Sequence, residues 1–368
     1  MKALNILDGK SYSFEVEDGR IKYLTEIAPS PEMLFICPEG LIDSQVNGIL
    51  GMDYSDPGLC IDSVKQICIE LAKTGTLRHL PTIVTRPESV ILRNIRKIAE
   101  AERTDSFVRN SIVGIHIEGP FISHEDGPRG AHDISSVRKC NIEEFDSWLA
   151  ASDGLLKYIT IAPESDGAID LIKHAVNCGV VCSIGHSGAT KSQIDSAAEA
   201  GATLSTHLGN GVYSELKRYD NPVFSILANS ALSAGVIADG DHVGPALLKV
   251  ISLCKSIDQI ILVSDLAPMA GMAKGTRMKW GGVEVEIAPD GSVRLADTPY
   301  LAGAGSSLFN DVMNFNRITE IPLADCFKMA TLNPVKMFNL DAKRFCLKEN
   351  MPARFLLFDS NGIVKVLF

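Results

Sequence analysis

The chain has 368 residues, 46% of them hydrophobic and 22% charged, enough for one large core and a small accessory domain. Its formal net charge is −10 with no block of lysine or arginine, a surface that repels nucleic acid and anionic lipid and excludes both as expected partners. No apolar run approaches the ~18 residues that cross a bilayer, and the opening MKALNILDGK lacks the apolar stretch of a signal peptide, so a soluble chain is expected.

Residues 1–40 are short alternating runs broken by LDGK and VEDGR, a pattern that predicts a β-meander. From residue 41 the pattern changes. Apolar runs recur near 41–46, 76–84, 111–118, 156–162, 179–186, 202–207, 232–238 and 259–265. Most are separated by helical patterns such as IDSVKQICIELAKTG, PESVILRNIRKIAEAE and GPALLKVISLCKSI. Eight β-α units of this kind predict an α/β fold, a (β/α)8 TIM barrel over 41–344 rather than an open sheet. The stretch 276–300 reads as a β-hairpin insertion. Within 345–368, ARFLLFDSNGIVKVLF is two strands around an Asn-Gly turn. With residues 1–40 it is expected to form a small β-sandwich domain built from both chain termini. Nine cysteines without a CxxC pair point to a reducing cytoplasm rather than a disulfide framework. Cys60, Cys68, Cys178, Cys182 and Cys254 stand among apolar neighbours and are expected to be buried thiols.

The polar residues that end the predicted strands carry the chemistry. Strand three ends in Glu118, strand five in His186, strand six in His207 and strand eight in Asp265. Barrels of this class place their active sites at the C-terminal ends of the strands, so these four side chains are expected to meet at one mouth. Glu, His and His suit a zinc ion that keeps an open position for water. A carboxylate beside it can carry a proton from that water to a leaving amine. A single histidine ending a strand is more often structural; four polar ends on four strands are not. His116, two residues before Glu118, shares its face and is expected to support the site from below.

At these residues the sequence resembles the N-acetylglucosamine-6-phosphate deacetylases of the amidohydrolase superfamily. The matching segments are GLIDSQVNG, GIHIEGPFIS followed by GAH, IGHSGAT, STHLGN, VIADGDHV, LVSDLAPMAG and ATLNPVKMF, and together they span nearly the whole chain. The resemblance implies metal-dependent release of acetate from an N-acetylated amino-sugar phosphate. It implies one divalent ion, zinc, held by Glu118, His186 and His207, with Asp265 as the acid and base. His132 of the GAH segment is implied to polarise the amide carbonyl. Asn210, the backbone of Gly211, Arg218 and His242 are implied to contact sugar and phosphate. A homodimer is implied as well.

Several positions depart from the family pattern. Gln45 and Asn47 stand where many amidohydrolases have His-x-His, and neutral amides are poor zinc ligands, which argues for one metal with Gln45 orienting the site. The family more usually has alanine at Gly211, and LAGAGSSL carries an additional small pair before its serines. These loops keep open a different N-acetylated substrate, such as N-acetylgalactosamine 6-phosphate or an N-acyl amino acid. A catalytically silent sugar-phosphate-binding protein is the reading from another class, and Asp265 speaks against it, because a binding module needs no proton carrier.

Overall fold

Short strands buried along almost their whole length must lie between other layers, and parallel strands reach that state by alternating with helices. In the computed structural model, which describes residues 1–368, eight such strands run parallel in one sheet. They are Leu41–Val46, Thr76–Val84, Ile115–Glu118, Leu156–Ile161, Val181–Ile184, Leu204–Ser205, Ser233–Val236 and Ile260–Leu262, each paired with its neighbour in chain order. A helix follows each strand, from Ile61–Lys73 after the first to Leu308–Thr319 after the eighth. This is the (β/α)8 barrel.

The helices carry their signals locally. Ile61–Lys73 buries Val64, Ile67, Cys68 and Leu71, one stripe at helical spacing, and has Asp62 in its first turn and Lys73 in its last, each at the end of the helix dipole that favours it. Thr190 and Gln193 close a reciprocal capping box at the start of Lys191–Glu199. The 276–300 stretch forms three antiparallel strands, Arg277–Trp280, Val283–Ile287 and Val293–Leu295. Their apolar face, with Trp280, Val285 and Val293, packs on Val84, Ala267 and Ala302 at the barrel mouth.

Both chain ends enter one six-stranded sheet, whose order runs Gly362–Leu367, Phe355–Asp359, Leu34–Pro38, Lys2–Asn5, Ser11–Glu17, Arg20–Ile27. The sheet curls over. Phe14 and Phe355 belong to non-adjacent strands yet meet edge to face at 5.6 Å, and Ile21 donates to the Met351 carbonyl at 2.9 Å. The two layers of the small β-sandwich are therefore halves of one continuous sheet. Of the five cysteines expected to be buried, only Cys68 and Cys182 are; Cys60, Cys178 and Cys254 are exposed. Cys60 caps a helix at its start, Cys178 caps one at its end and Cys254 is the last residue of a third. Apolar neighbours in sequence do not cover a side chain where a helix meets solvent.

Barrel and small domain are joined by a buried charge cluster. Glu39 accepts from Arg78 Nε at 3.0 Å and lies 3.5 Å from Arg354 Nε, and all three side chains are nearly inaccessible. Removing one partner of such a group leaves uncompensated buried charge, costing about 3–5 kcal/mol. Glu39→Ala is therefore expected to lower stability by that amount in urea unfolding. A loss below ~1 kcal/mol would show that water replaces the carboxylate.

Candidate active site

The four polar strand ends meet. Glu118 closes its strand, His186 and His207 lie two residues past theirs, and Asp265 lies three residues past its own. His186, His207 and Asp265 all have left-handed backbone, with φ of 50°, 28° and 51°. Such conformations cost a non-glycine residue of order 1–3 kcal/mol and persist where surrounding structure enforces them, often at functional sites.

The ligand atoms of Glu118, His186 and His207 lie within 4.8 Å of one another, and all three residues are buried. Both imidazoles present Nε2, at 3.1 Å (His186) and 3.0 Å (His207) from Glu118 Oε1 and 3.0 Å from each other. Atoms bound ~2 Å from a common ion are separated by roughly this much. His186 Nδ1 donates to the Pro128 carbonyl at 2.9 Å, which leaves Nε2 as a bare lone pair facing Glu118. The donor set fits a divalent metal. Burial opposes ionisation of Glu118, yet the two imidazoles beside it hold its carboxyl well below the usual carboxylate range.

Two amides at the end of the first strand hold the two carboxylates. Gln45 donates to Glu118 Oε1 at 2.8 Å, and Asn47 donates to Asp265 Oδ1 at 2.8 Å. Burial, and next the nearby Glu118 charge, push the Asp265 carboxyl up to about 7. His132 Nε2 stands 3.1 Å from His186 Nε2, and its Nδ1 stands 2.7 Å from the Thr85 hydroxyl. Burial, then His186, keep His132 neutral. Since His186 Nε2 is a lone pair, the hydrogen between the two rings belongs to His132 Nε2, and Thr85 must donate into Nδ1. Below the trio, His116 stacks on Tyr158 at 3.7 Å and bonds Thr82 and Thr160, outside the ligand set.

The Amidohydrolase family model matches residues 35–367. An N-acetylgalactosamine-6-phosphate deacetylase of Escherichia coli O157:H7 is 31% identical over 95% of this chain and 91% of its own. A human N-acetylglucosamine-6-phosphate deacetylase is 30% identical over 90% of this chain and 82% of its own. A Mycobacterium smegmatis N-acetyl-D-glucosamine-6-phosphate deacetylase, solved in complex with N-acetyl-D-glucosamine-6-phosphate, superposes with a TM-score of 0.87 at 25% identity, covering 100% of this chain and 96% of that one. This chain belongs to the N-acetylglucosamine-6-phosphate deacetylase family of amidohydrolases.

The residues that the resemblance assigns to substrate fall in two separate pockets and on an exposed loop of this amidohydrolase. Asn210 and Gly211 flank His186, and Gly211 has φ +58°. A Cβ at Gly211 would fall 2.9 Å from His186 Nδ1. The alanine usual in the family therefore does not fit this backbone, and glycine lets the loop close on the ligand. In the second pocket His242 Nδ1 bonds Asp239 at 2.7 Å, and both line it with the 301–306 loop and the inserted sheet. Arg218 is exposed, its guanidinium 5.9 Å from the Tyr219 ring centroid, and is not brought to the trio within one chain.

Three supporting groups were not visible in the sequence. The Pro128 carbonyl sets the tautomer of His186 and Thr85 bonds the far nitrogen of His132, and one hydroxyl or one carbonyl among many carries no signal. Glu164, after strand four, accepts from the Ser187 hydroxyl at 2.6 Å and the Gly188 amide at 2.7 Å, so it fixes the turn after His186. A carboxylate near a strand end could have been found by the rule that found Glu118.

His186→Ala and His207→Ala are each expected to lose the bound divalent metal, read by elemental analysis of purified protein. A variant that keeps the wild-type metal content would drop that histidine from the ligand set.

Proposed function

We propose that this amidohydrolase removes acetate from an N-acetylated hexosamine 6-phosphate, with N-acetylglucosamine 6-phosphate as the leading substrate. The observation that carries the reading is Asp265, a buried carboxyl raised to about 7 at the same mouth as the metal trio. A titrating group near neutrality can both take and return a proton, and a binding protein needs no such group.

Glu118, His186 and His207 hold the metal, which we assign as a single zinc ion: two imidazoles and a carboxylate suit it. Gln45 and Asn47 already use their amide donors on Glu118 and Asp265, which supports one metal rather than two. When bound, such a metal supplies Lewis acidity and lowers the pKa of a water towards ~7. Asp265 accepts the proton shed as water attacks the acetyl carbon. It then delivers that proton to the sugar nitrogen as the C–N bond breaks, releasing acetate and the free amine. Asn47 holds one Asp265 oxygen and leaves the other for the proton. His132, neutral and carrying its hydrogen on Nε2, donates to the acetyl oxygen as negative charge develops there.

Asn210, Gly211, Arg218 and His242 are assigned to the sugar and phosphate. Arg218 has no acidic partner, and its loop carries Tyr213 and Tyr219 exposed with Phe224 beside it. That surface supports a homodimer in which the loop is ordered. Nine free thiols suit a reducing cytoplasm. The second substrate reading is N-acetylgalactosamine 6-phosphate, favoured by the 31% identity to a deacetylase named for that sugar.

Asp265→Asn is expected to keep its metal and lose turnover by about 10²- to 10⁴-fold in an acetate-release assay. A wild-type rate would remove Asp265 from the mechanism. Arg218→Ala is expected to raise KM for phosphorylated N-acetylhexosamines while leaving unphosphorylated ones little changed; equal effects on both would refute the phosphate role. Acetate release from both 6-phosphates, with metal content measured on the same sample, decides between the two sugars.

A further inference from the structure

Seven junctions between successive barrel strands are hydrogen-bonded ladders; the eighth, which must close the cylinder between the last strand and the first, is not. Its backbone pairing is reduced to one bridge, Val46 with Leu266, together with the Asn47 and Gly48 amides on the Leu266 carbonyl at 3.0 and 3.3 Å. A side chain takes the place of the missing ladder. Asp43, on the first strand and 1% exposed, accepts from the backbone of Gln45 and of Ser264 through Oδ1, each at 3.2 Å. Its Oδ2 accepts from the Ser264 hydroxyl at 2.5 Å. That hydroxyl oxygen in turn accepts from the Leu266 amide at 3.1 Å.

Asp265 is the residue between Ser264 and Leu266. Its two neighbours are thus pinned to the first strand from the same carboxylate, directly at Ser264 and through one hydroxyl at Leu266. Asp265 itself has φ +51°, a conformation that does not persist unless its flanks are held. We propose that Asp43 is a positioning residue for Asp265: by clasping Ser264 it closes the barrel seam and fixes where the proton-carrying carboxylate stands. It makes no contact with the metal trio. A carboxylate is needed because three donors converge on its two oxygens. An asparagine would turn an NH2 group towards Ser264 and leave the serine hydrogen without its acceptor.

This inference rests on the proposed role of Asp265, and the experiment separates the two. Asp43→Asn, Ser264→Ala and Asp265→Asn are assayed for kcat, KM, metal content and folding by circular dichroism, with Asp43→Asn also placed on the Asp265→Asn background. Misplacing a reacting group by a fraction of an ångström is expected to lower kcat about 10- to 100-fold in Asp43→Asn. KM should stay within about twofold and metal content unchanged, because the trio is not touched. Ser264→Ala should show the same signature at about 3- to 10-fold, and it decides the matter if Asp43→Asn does not fold. On the Asp265→Asn background, Asp43→Asn should change the residual rate by less than about twofold, since the group it positions is already gone. A folded, metal-loaded Asp43→Asn or Ser264→Ala with wild-type kcat overturns the proposal. So does an Asp43→Asn effect that is as large without the Asp265 carboxylate as with it. A wild-type rate in Asp265→Asn alone would overturn the reading of Asp265 first, and the positioning role with it.

Discussion

Two imidazole nitrogens and a carboxylate oxygen are held about 3 Å apart in a buried pocket, and the rest of the molecule is arranged around that crowding. Lone pairs this close repel unless something positive lies between them, a proton or a metal ion. The protein prepares for the ion by spending its other hydrogen bonds outward. His186 points its N–H at a carbonyl, Gln45 caps Glu118, and His132 takes its hydrogen on the nitrogen that faces the site. Each partner removes one freedom from the ligand it touches. The result is that Glu118 and His186 are oriented before a metal binds.

Rigidity of this kind needs a scaffold that does not give. Below the trio the barrel carries a hydrogen-bonded layer, packed through Tyr158 against aliphatic side chains that include Leu80, Leu204 and Ile261. His116 bridges Thr82 and Thr160, while Thr206 gathers Thr160, Tyr158 and Ser183 at 2.7, 3.0 and 2.8 Å. Every member comes from a different strand or reaches to one, so the layer fixes the strands relative to each other just beneath the reacting atoms. Polar networks are costly when incomplete and specific when satisfied. Here the specificity serves the left-handed turns above, where His186, His207 and Asp265 leave their strands.

Much of this was legible in the sequence, for a geometric reason. Strand periodicity located the strand ends, barrel topology brings those ends to one side, and polar residues at apolar termini stand out; Glu118, His186, His207 and Asp265 needed nothing more. The eight strands and both terminal β-segments followed from the same alternation. What stayed hidden depends on distance along the chain. Asp43 and Ser264 are 221 residues apart, and Thr85 and His132 are 47 apart. Short polar residues occur in every loop, so no local pattern tells the paired ones from the rest. The cysteines were misjudged for the converse reason. Sequence neighbours report hydrophobicity, but at a helix end they face away from the residue in question.

The charge of the mouth orients an anionic sugar on the proposed reading. The pocket beyond Asp265 is walled by Asp239, Asp241 and Asp290, with His242 paired to Asp239 and Arg294 paired to Asp290 at 2.6 Å. A phosphate dianion placed there would meet carboxylates whose counter-charges are already engaged, and the low dielectric of a cleft strengthens that repulsion. Hydroxyl groups fit instead, since carboxylates and the Ser292 and Ser306 hydroxyls accept from them. Beside His186 stands the Gly211 backbone, and the same loop carries Lys217 and Arg218 exposed. An acidic protein can therefore still take an anionic substrate, provided its two ends are told apart. On the proposed reading the sugar ring turns towards the inserted sheet and the phosphate away from it, because the carboxylates there repel the phosphate and accept from the hydroxyls of the sugar.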